Sequence, residues 1–219
     1  MLYAIDTDGQ RIRPSIHKQL ATDPYSGLPT QGITGEGLDY WRLIEGKYDA
    51  WALPNATWNL RWKLEFPEPL VEISIQGDHA KHVADVRTNK GTVLKFQARN
   101  LNEQQLRERE VFFEQMVWIF RADKWDIELM FNPTRYRTTE GRDRQLPKSD
   151  SFKWVKFQSR HSKSVFKACK MPVFLDFGDD CIYWLNWQSK SNLNALYHPT
   201  QGLLKSYPKQ QFIQKYSQL

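Results

Sequence analysis

The chain has 219 residues, of which 40% are hydrophobic and 14% aromatic, and its formal net charge is +6. This composition is typical of a globular protein with one good core and excludes a disordered chain. No run approaches the roughly 18 apolar residues of a membrane span, and no apolar segment follows a charged N-terminus. We therefore expect a cytoplasmic protein with no membrane partner.

The N-terminal part of the chain shows few regular patterns. Residues 2–14 predict a strand with a turn at its Asp-Gly step, whereas segment 22–37, rich in Gly, Pro and Thr, predicts a loop. Residues 40–53 fit no single pattern. We expect a small β-rich segment over residues 1–53.

A helix is predicted next. Asn55 or Thr57 can cap its first turn, and Pro67 ends it. Trp58 and Trp62 lie four residues apart and share one helical face, so we interpret both as core residues.

Short runs rich in Val, Ile, Phe and Thr then predict a sheet. One run covers residues 71–75, and two others, 83–88 and 92–97, are separated by Asn-Lys-Gly and form an antiparallel hairpin. Because side chains alternate along a strand, Lys95 and Gln97 point the same way.

A second helix begins after Asn102, a good N-cap, and runs to about Phe113. Its charged residues 107–110 are expected to lie mostly outside. Further strands are predicted at residues 117–120, 127–131, 173–177 and 182–187, the last two as a hairpin. The two cysteines, Cys169 and Cys181, are too few for a disulfide framework or a cysteine-based zinc site. We expect reduced thiols, with a bridge between them as the alternative.

The predicted hairpin carries a constellation that suits a metal-dependent phosphodiesterase. Asp85 on one strand and the Lys95-Phe96-Gln97 step on the next place three polar groups around one point. Mg²⁺ takes hard oxygen ligands, usually one or two carboxylates together with substrate phosphate. Asp85 can supply one carboxylate. Lys95 stands where the second is needed and cannot supply it.

Five motifs occur in order along the chain: Trp58-x-x-x-Trp62-Lys63, His82-Val83-Ala84-Asp85-Val86, Leu94-Lys95-Phe96-Gln97, Glu108-Arg109 and Trp118-Ile119-Phe120. In this order they resemble the CoiA-like competence proteins, whose nuclease core is of the PD-(D/E)XK, restriction-endonuclease-like kind. The resemblance covers most of the chain and is strongest over residues 55–131. It implies a central mixed sheet flanked by helices, and a role on DNA in uptake, recombination or defence.

The chain departs from the family pattern at three places. Residues 55–59 lack the family's Glu and His, the zinc-ribbon cysteines are absent, and the Glu of the Glu-x-Gln strand is Lys95. The catalytic set that the resemblance implies is therefore Asp85, Lys95 and Gln97. We expect weak or absent hydrolysis, Mg²⁺ at Asp85 only if the protein is active, and no zinc.

Three interpretations of Lys95 stay open. Its ammonium can take the place of the metal cation and pair with Asp85. It can instead contact a phosphate while Glu72 or Asp78 supplies a ligand, or it can be a disabling substitution, natural or engineered. Asp78, His79 and His82 also suggest a metal cluster, although such residues at the entry to a strand are more often turn and surface groups.

Positive charge is concentrated in residues 135–170, which hold 11 Lys or Arg against 3 Asp or Glu, a balance of +8. Basic residues interleaved with aromatic ones suit contact with phosphates and stacking on bases. The alternative is a solvated loop with structural aromatic residues. The candidate nucleic-acid-binding residues are Arg135, Arg137, Arg142, Arg144, Lys148, Lys153, Lys156, Arg160 and Lys163.

These observations predict an α+β fold in three parts. They are an N-terminal segment (1–53), a nuclease-like core (54–133), and a basic segment with a C-terminal hairpin that completes the core (134–219). We expect a nuclease-fold protein that binds DNA, single-stranded or branched, with impaired hydrolysis. The alternatives are an active metal-dependent endonuclease with relocated ligands and a non-catalytic interaction module that binds a recombination or defence protein.

Overall fold

The structure is a computed structural model that describes the chain except residues 36, 52–56, 99–100, 126, 131–134, 138–142, 146–151, 186–200 and 219. The chain divides into two compact units, Met1–Leu94 and Lys95–Gln218. Strands and helices occur in both units, so the predicted α+β class is confirmed. The finer restriction-endonuclease-like assignment stays a prediction. Across the described ranges, no helix is long and apolar enough to cross a membrane.

The first unit begins with a five-stranded antiparallel sheet in the order β2-β1-β3-β4-β5. Its strands are β1 (Ala4–Ile5), β2 (Arg11–Ile12), β3 (Leu20–Thr22), β4 (Pro29–Ile33) and β5 (Tyr40–Leu43).

The prediction of a loop over residues 22–37 is wrong where β4 lies. One of the glycines of this segment, Gly32, lies inside the strand. A Cβ there would be 2.9 Å from the carbonyl oxygen of Ile16 and 2.9 Å from Cβ of Pro14. Glycine within a strand often marks such a close approach of backbones, a feature that composition alone does not distinguish from a loop.

The remainder of the first unit contains the predicted helix and hairpin. Helix α1 covers Thr57–Leu64, and strands β6 (Val71–Gln76), β7 (Lys81–Arg87) and β8 (Val93–Gln97) follow. Only the first two residues of β8 belong to this unit, which ends at Leu94. β6 and β7 pair antiparallel, with Ile73 opposite Ala84, and β7 pairs antiparallel with the start of β8. The turn before β8 contains Gly91 at a φ of +80°, as the Asn-Lys-Gly step predicts.

The second unit contains helix α2 (Glu103–Phe113) and strands β9 (Met116–Arg121) and β10 (Ile127–Met130). The short strands β11 (Arg135–Arg137) and β12 (Asp143–Gln145), then β13 (Phe152–Phe157) and helix α3 (Arg160–Ala168), follow. The unit ends with β14 (Val173–Asp176), β15 (Cys181–Leu185), β16 (Gln201–Pro208) and helix α4 (Lys209–Tyr216).

Six of these strands are adjacent in the order β9-β14-β15-β16-β13-β10. β9 and β14 are parallel and the other pairs are antiparallel, so the sheet is mixed. The predicted hairpin around Gly178 is present. Asn102 caps α2 through a reciprocal capping box with Gln105, as its position predicts.

The basic segment is not one solvated loop, because β13 and α3 lie within it. Val155 and Phe157 of β13 are buried while Lys156 between them is exposed, which is the alternation of a half-buried strand. On α3, Phe166 is buried and meets Phe157 at 5.7 Å between ring centres. Lys156 and Lys167 therefore lie in elements whose apolar residues belong to a core.

Candidate functional site

A buried lysine joins two carboxylates in the first unit. Lys63, in the last turn of α1, places its Nζ 3.0 Å from Oε1 of Glu72 on β6 and 3.3 Å from Oδ1 of Asp85 on β7. All three residues are buried. One helix and two adjacent strands thus bring one positive and two negative groups to a single point.

The pKa values of this cluster follow from its charges. Burial acts to lower the pKa of Lys63, but the two neighbouring carboxylates more than offset burial, and the net shift is upward. Burial acts to raise the pKa of Glu72, but the ammonium of Lys63, the N-terminal ammonium and the hydrogen bonds it accepts hold that pKa below its usual value. The folded structure therefore favours a charged ammonium and an ionised Glu72.

Glu72 also holds the start of the chain. Its carboxylate accepts hydrogen bonds from the backbone N–H of Leu2, at 2.8 and 3.0 Å, and from that of Tyr3, at 3.2 Å. Its own φ is +52°, a region that costs a residue other than glycine about 1–3 kcal/mol. These bonds and the ion pair to Lys63 offset this strain, so Glu72 has a structural role besides any chemical one.

A small pocket opens onto the cluster. It offers about 40 Å³ to water, room for only a few molecules. Its lining includes four acidic residues: Asp23, Asp49, Glu72 and Asp85. Asp49 accepts hydrogen bonds from the backbone N–H of Val83 and pairs with Nδ1 of His82, both at 2.8 Å. Asp23 accepts hydrogen bonds from Ser26 and from the backbone N–H of Tyr25.

The arrangement does not fit a divalent cation. The carboxylates of Glu72 and Asp85 are the pair that Mg²⁺ would need, and the ammonium of Lys63 lies between them. Among the residues that the structure describes, no three His, Cys, Asp or Glu side chains are grouped to hold a metal ion. A cation would have to displace Lys63 to reach both carboxylates.

The residues of the alternative metal cluster, Asp78, His79 and His82, have different surroundings in the structure. Asp78 and His79 are exposed in the turn before the strand. His82 pairs with Asp49 and stacks on Trp51, with 3.4 Å between ring centres and 9° between ring planes. The three residues do not form a cluster together.

Lys95 and Gln97 belong to the second unit, and both are buried. Nζ of Lys95 lies 6.0 Å from the ring centre of Phe113, within reach of a cation–π contact. Oε1 of Gln97 accepts a hydrogen bond of 3.2 Å from Nη1 of Arg109 on α2. The predicted grouping of Asp85 with these two residues stays a prediction.

The expectation that residues 107–110 lie outside is only half right. Arg107 and Glu108 are exposed, whereas Arg109 and Glu110 are buried. The Glu110 carboxylate accepts hydrogen bonds from Nε1 of Trp118, at 3.0 Å, and from the backbone N–H groups of Lys170 and Met171, at 3.1 Å. Charged residues of a helix are buried here because each has polar partners within the fold.

Two of the nine candidate nucleic-acid-binding residues have described side chains. Lys156 is exposed and Lys153 is half-buried, and they are three residues apart on β13, which places them on opposite faces. Arg142 and Lys148 lie outside the described residues. The other five lie on described elements, but their side chains do not belong to the described part: Arg135, Arg137, Arg144, Arg160 and Lys163.

The two units differ in charge. Residues 1–94 hold ten Lys or Arg against twelve Asp or Glu, a balance of −2, and residues 95–218 hold 21 against 13, a balance of +8. The positive charge of the chain is therefore concentrated in the second unit.

Sequence reasoning did not identify Lys63 as a site residue. The sequence did contain a signal, because Asn59 and Lys63 lie four residues apart and share one face of the predicted helix. The structure shows that both residues are buried. Two polar residues on the inward face of a helix indicate a buried polar partner. Which partner it is depends on the pairing of β6 with β7.

Comparisons with protein-family models, with curated proteins and with solved structures found no match for this chain.

Proposed function

We propose that this protein binds nucleic acid through its basic second unit and does not hydrolyse it by a divalent-metal mechanism. The observation that carries the second half of the proposal is the ammonium of Lys63 between the carboxylates of Glu72 and Asp85. The resemblance of the motifs to CoiA-like competence proteins supports DNA, single-stranded or branched, as the nucleic acid that is bound.

The cost of displacing the Lys63 ammonium argues against a divalent-metal mechanism. A divalent ion at the Lys63 position would have to break two buried charge-assisted contacts, and removing one partner of a buried ion pair typically costs about 3–5 kcal/mol. The ammonium already satisfies Glu72 and Asp85, so a metal gains little by replacing it. The site keeps its two acids as a structural ion cluster.

The charge of the second unit supports the part of the proposal that concerns nucleic-acid binding. The balance of +8 on the second unit suits phosphate contacts, which are largely independent of sequence and weaken as salt displaces them. Three lysines on and after β13 and α3 have exposed side chains: Lys156, Lys167 and Lys170.

The experiment is a fluorescence-anisotropy titration of labelled single-stranded, branched and duplex DNA, with Mg²⁺ and with EDTA, followed by gels that detect cleavage. We expect binding that falls with salt, is equal in Mg²⁺ and EDTA, and leaves the DNA intact. The triple variant Lys156→Gln, Lys167→Gln and Lys170→Gln should weaken binding. On a single strand, its salt slope should fall by about 0.7 for each phosphate that the variant no longer neutralises.

A matched control neutralises three exposed basic residues of the first unit, Lys47, Arg87 and Lys90, to Gln. This variant should bind as the parent does. Equal weakening in both triple variants would contradict the assignment of binding to the second unit. If the parent protein binds none of the three DNAs at low salt, the proposal is overturned and a protein-interaction module is favoured.

One observation favours an active metal-dependent nuclease instead. Glu72 and Asp85 converge on one point beside a water-accessible pocket. On this alternative, Glu72 supplies the relocated second ligand after Lys63 moves. Cleavage that needs Mg²⁺ or Mn²⁺ and is abolished in Asp85→Asn would establish this function and overturn the metal-independent one.

A further inference from the structure

A second pocket lies within the second unit, lined by residues that follow the basic segment in the sequence. It encloses about 400 Å³ between β14, β15, β16 and α4. Five aromatic side chains and a lysine supply most of its lining: Phe174, Trp184, Tyr207, Phe212, Tyr216 and Lys215. A volume in this range suits a small organic ligand.

Strand register explains why aromatic residues gather here. Phe174 of β14 lies opposite Trp184 of β15, and Trp184 lies opposite Lys205 of β16. Directly opposite residues share a face of the sheet, so one face carries the row Phe174, Trp184 and Lys205. Tyr207 lies two residues further along β16 and therefore points to the same side.

Helix α4 contributes the opposite side of the pocket. The ring of Phe212 lies 4.9 Å from that of Phe174 and 4.8 Å from that of Tyr216, at angles of 60° and 51°. Phe174 and Phe212 are buried, whereas Trp184, Tyr207 and Tyr216 are only half-buried. The buried rings form the floor of the pocket, and the half-buried rings retain exposed surface on which a flat ligand can pack.

Positive charge surrounds these rings. Nζ of Lys205 lies 5.1 Å from the ring centre of Tyr207, and Nζ of Lys215 lies 5.2 Å from that of Tyr216. The lining residues, all within the described part of the chain, include no Asp or Glu. This combination disfavours a cationic ligand such as a methylated lysine and suits a flat ring system attached to an anion.

We propose that this pocket stacks an unpaired base of a single-stranded nucleic acid, with Lys205 and Lys215 next to its phosphates. The proposal deepens the proposed function and rests on it. Aromatic side chains beside basic groups bind single strands because every base has a face that can stack, whatever the sequence. A base within a duplex is already stacked and paired, so the pocket selects single strands over duplexes.

The test compares Trp184→Leu with Trp184→Phe in anisotropy titrations of a labelled oligonucleotide, as single strand and as duplex of equal length. Leu keeps an apolar side chain without a ring, whereas Phe keeps a ring. We expect Trp184→Leu to weaken single-strand binding about tenfold, Trp184→Phe to restore most of the affinity, and neither to change duplex binding. Trp58→Leu, at a half-buried tryptophan of the first unit, should change none of these affinities.

The outcomes separate the pocket from the general function. If the parent binds single strands and Trp184→Leu binds them equally well, the pocket assignment is wrong and the proposed function stands. If the parent binds no nucleic acid, both fail. Equal weakening for single strand and duplex would also refute the pocket.

Two further arms complete the design. If thermal unfolding shows that Trp184→Leu does not fold, Tyr216→Leu on α4 replaces it, with the same expected selectivity. A mononucleotide, dAMP, is titrated in competition with the labelled strand. Displacement only at concentrations far above the strand's Kd supports a strand as occupant, whereas displacement at equal concentration identifies a free nucleotide instead and overturns the strand assignment.

Discussion

The ammonium of Lys63 lies 3.3 Å from the carboxylate of Asp85, the residue that the sequence marks as a metal ligand. The helix residue that forms this ion pair lies 22 positions before Asp85 in the chain. The same ammonium contacts Glu72, so a single lysine pairs with a carboxylate from each of two adjacent strands.

Replacing Lys63 by Met should destabilise the protein by about 3–5 kcal/mol at neutral pH. The change leaves two buried carboxylates without their shared cation. Chemical denaturation of the parent and the variant measures the difference. Lys90→Met, at an exposed lysine of the turn before β8, should lie within about 0.5 kcal/mol of the parent. A destabilisation of similar size at both positions would show that the Lys63 cluster contributes nothing specific.

Removal of the ammonium should also change the response to metal. In Lys63→Met, millimolar Mn²⁺ can bind Glu72 and Asp85, and we expect it to raise Tm by preferential binding to the folded state. The parent should show no such rise. A rise of equal size in the parent would mean that a metal binds without displacing Lys63.

Stability should fall on the acid side because of Glu72. Its folded pKa lies below the 4.5 of an unperturbed carboxyl, so its contribution is present above pH 4.5 and is lost as pH falls through the lower, folded pKa. Urea midpoints between pH 2 and 7 should therefore drop less steeply for Glu72→Gln than for the parent. Glu65→Gln, at an exposed acid just after α1, should keep the slope of the parent.

At alkaline pH, Lys63 determines how stability changes, and the change has the opposite direction: stability falls as pH rises. Its folded pKa lies above 10.5, so its contribution is complete below pH 10.5 and is lost as pH rises through the higher, folded value. The pair of Lys63 and Glu72 therefore adds no pH dependence between about pH 5 and 10. Burial lowers the pKa of the N-terminal ammonium that interacts with them from 8.0 to about 6, so this group should make stability rise between about pH 6 and 8. Unfolding midpoints that vary strongly across that interval and become flat in Lys63→Met would contradict this assignment.

Glu110 should prove more important than a helix glutamate usually is. Glu110→Gln replaces a buried carboxylate that accepts hydrogen bonds from three donors, Trp118, Lys170 and Met171, with a group that has one acceptor oxygen. We expect a decrease of about 1–3 kcal/mol in the free energy of unfolding. Glu108→Gln, two residues earlier and exposed, is the control and should be nearly neutral. Equal small effects at both positions would refute the structural role.

Local patterns predicted local structure well. Asn102 and its capping partner lie within one turn, and the Asn-Lys-Gly step before β8 contains its own turn residue, so both were visible in sequence. Gly32 and the basic segment were misleading. In both cases a residue type that usually signals a loop lies within a regular element, for reasons found in distant residues.

Local patterns and composition were enough to predict the α+β class, the capped helix α2, the hairpin of β7 and β8, and the concentration of positive charge in the second half of the chain. These properties depend on neighbouring residues, on alternation and on composition. Tertiary structure alone decided that Lys63 lies between Glu72 and Asp85 and that Phe174, Trp184 and Phe212 share one pocket. Strand pairing and helix packing join residues that are far apart in the chain, and no local pattern specifies which distant partner a side chain will meet.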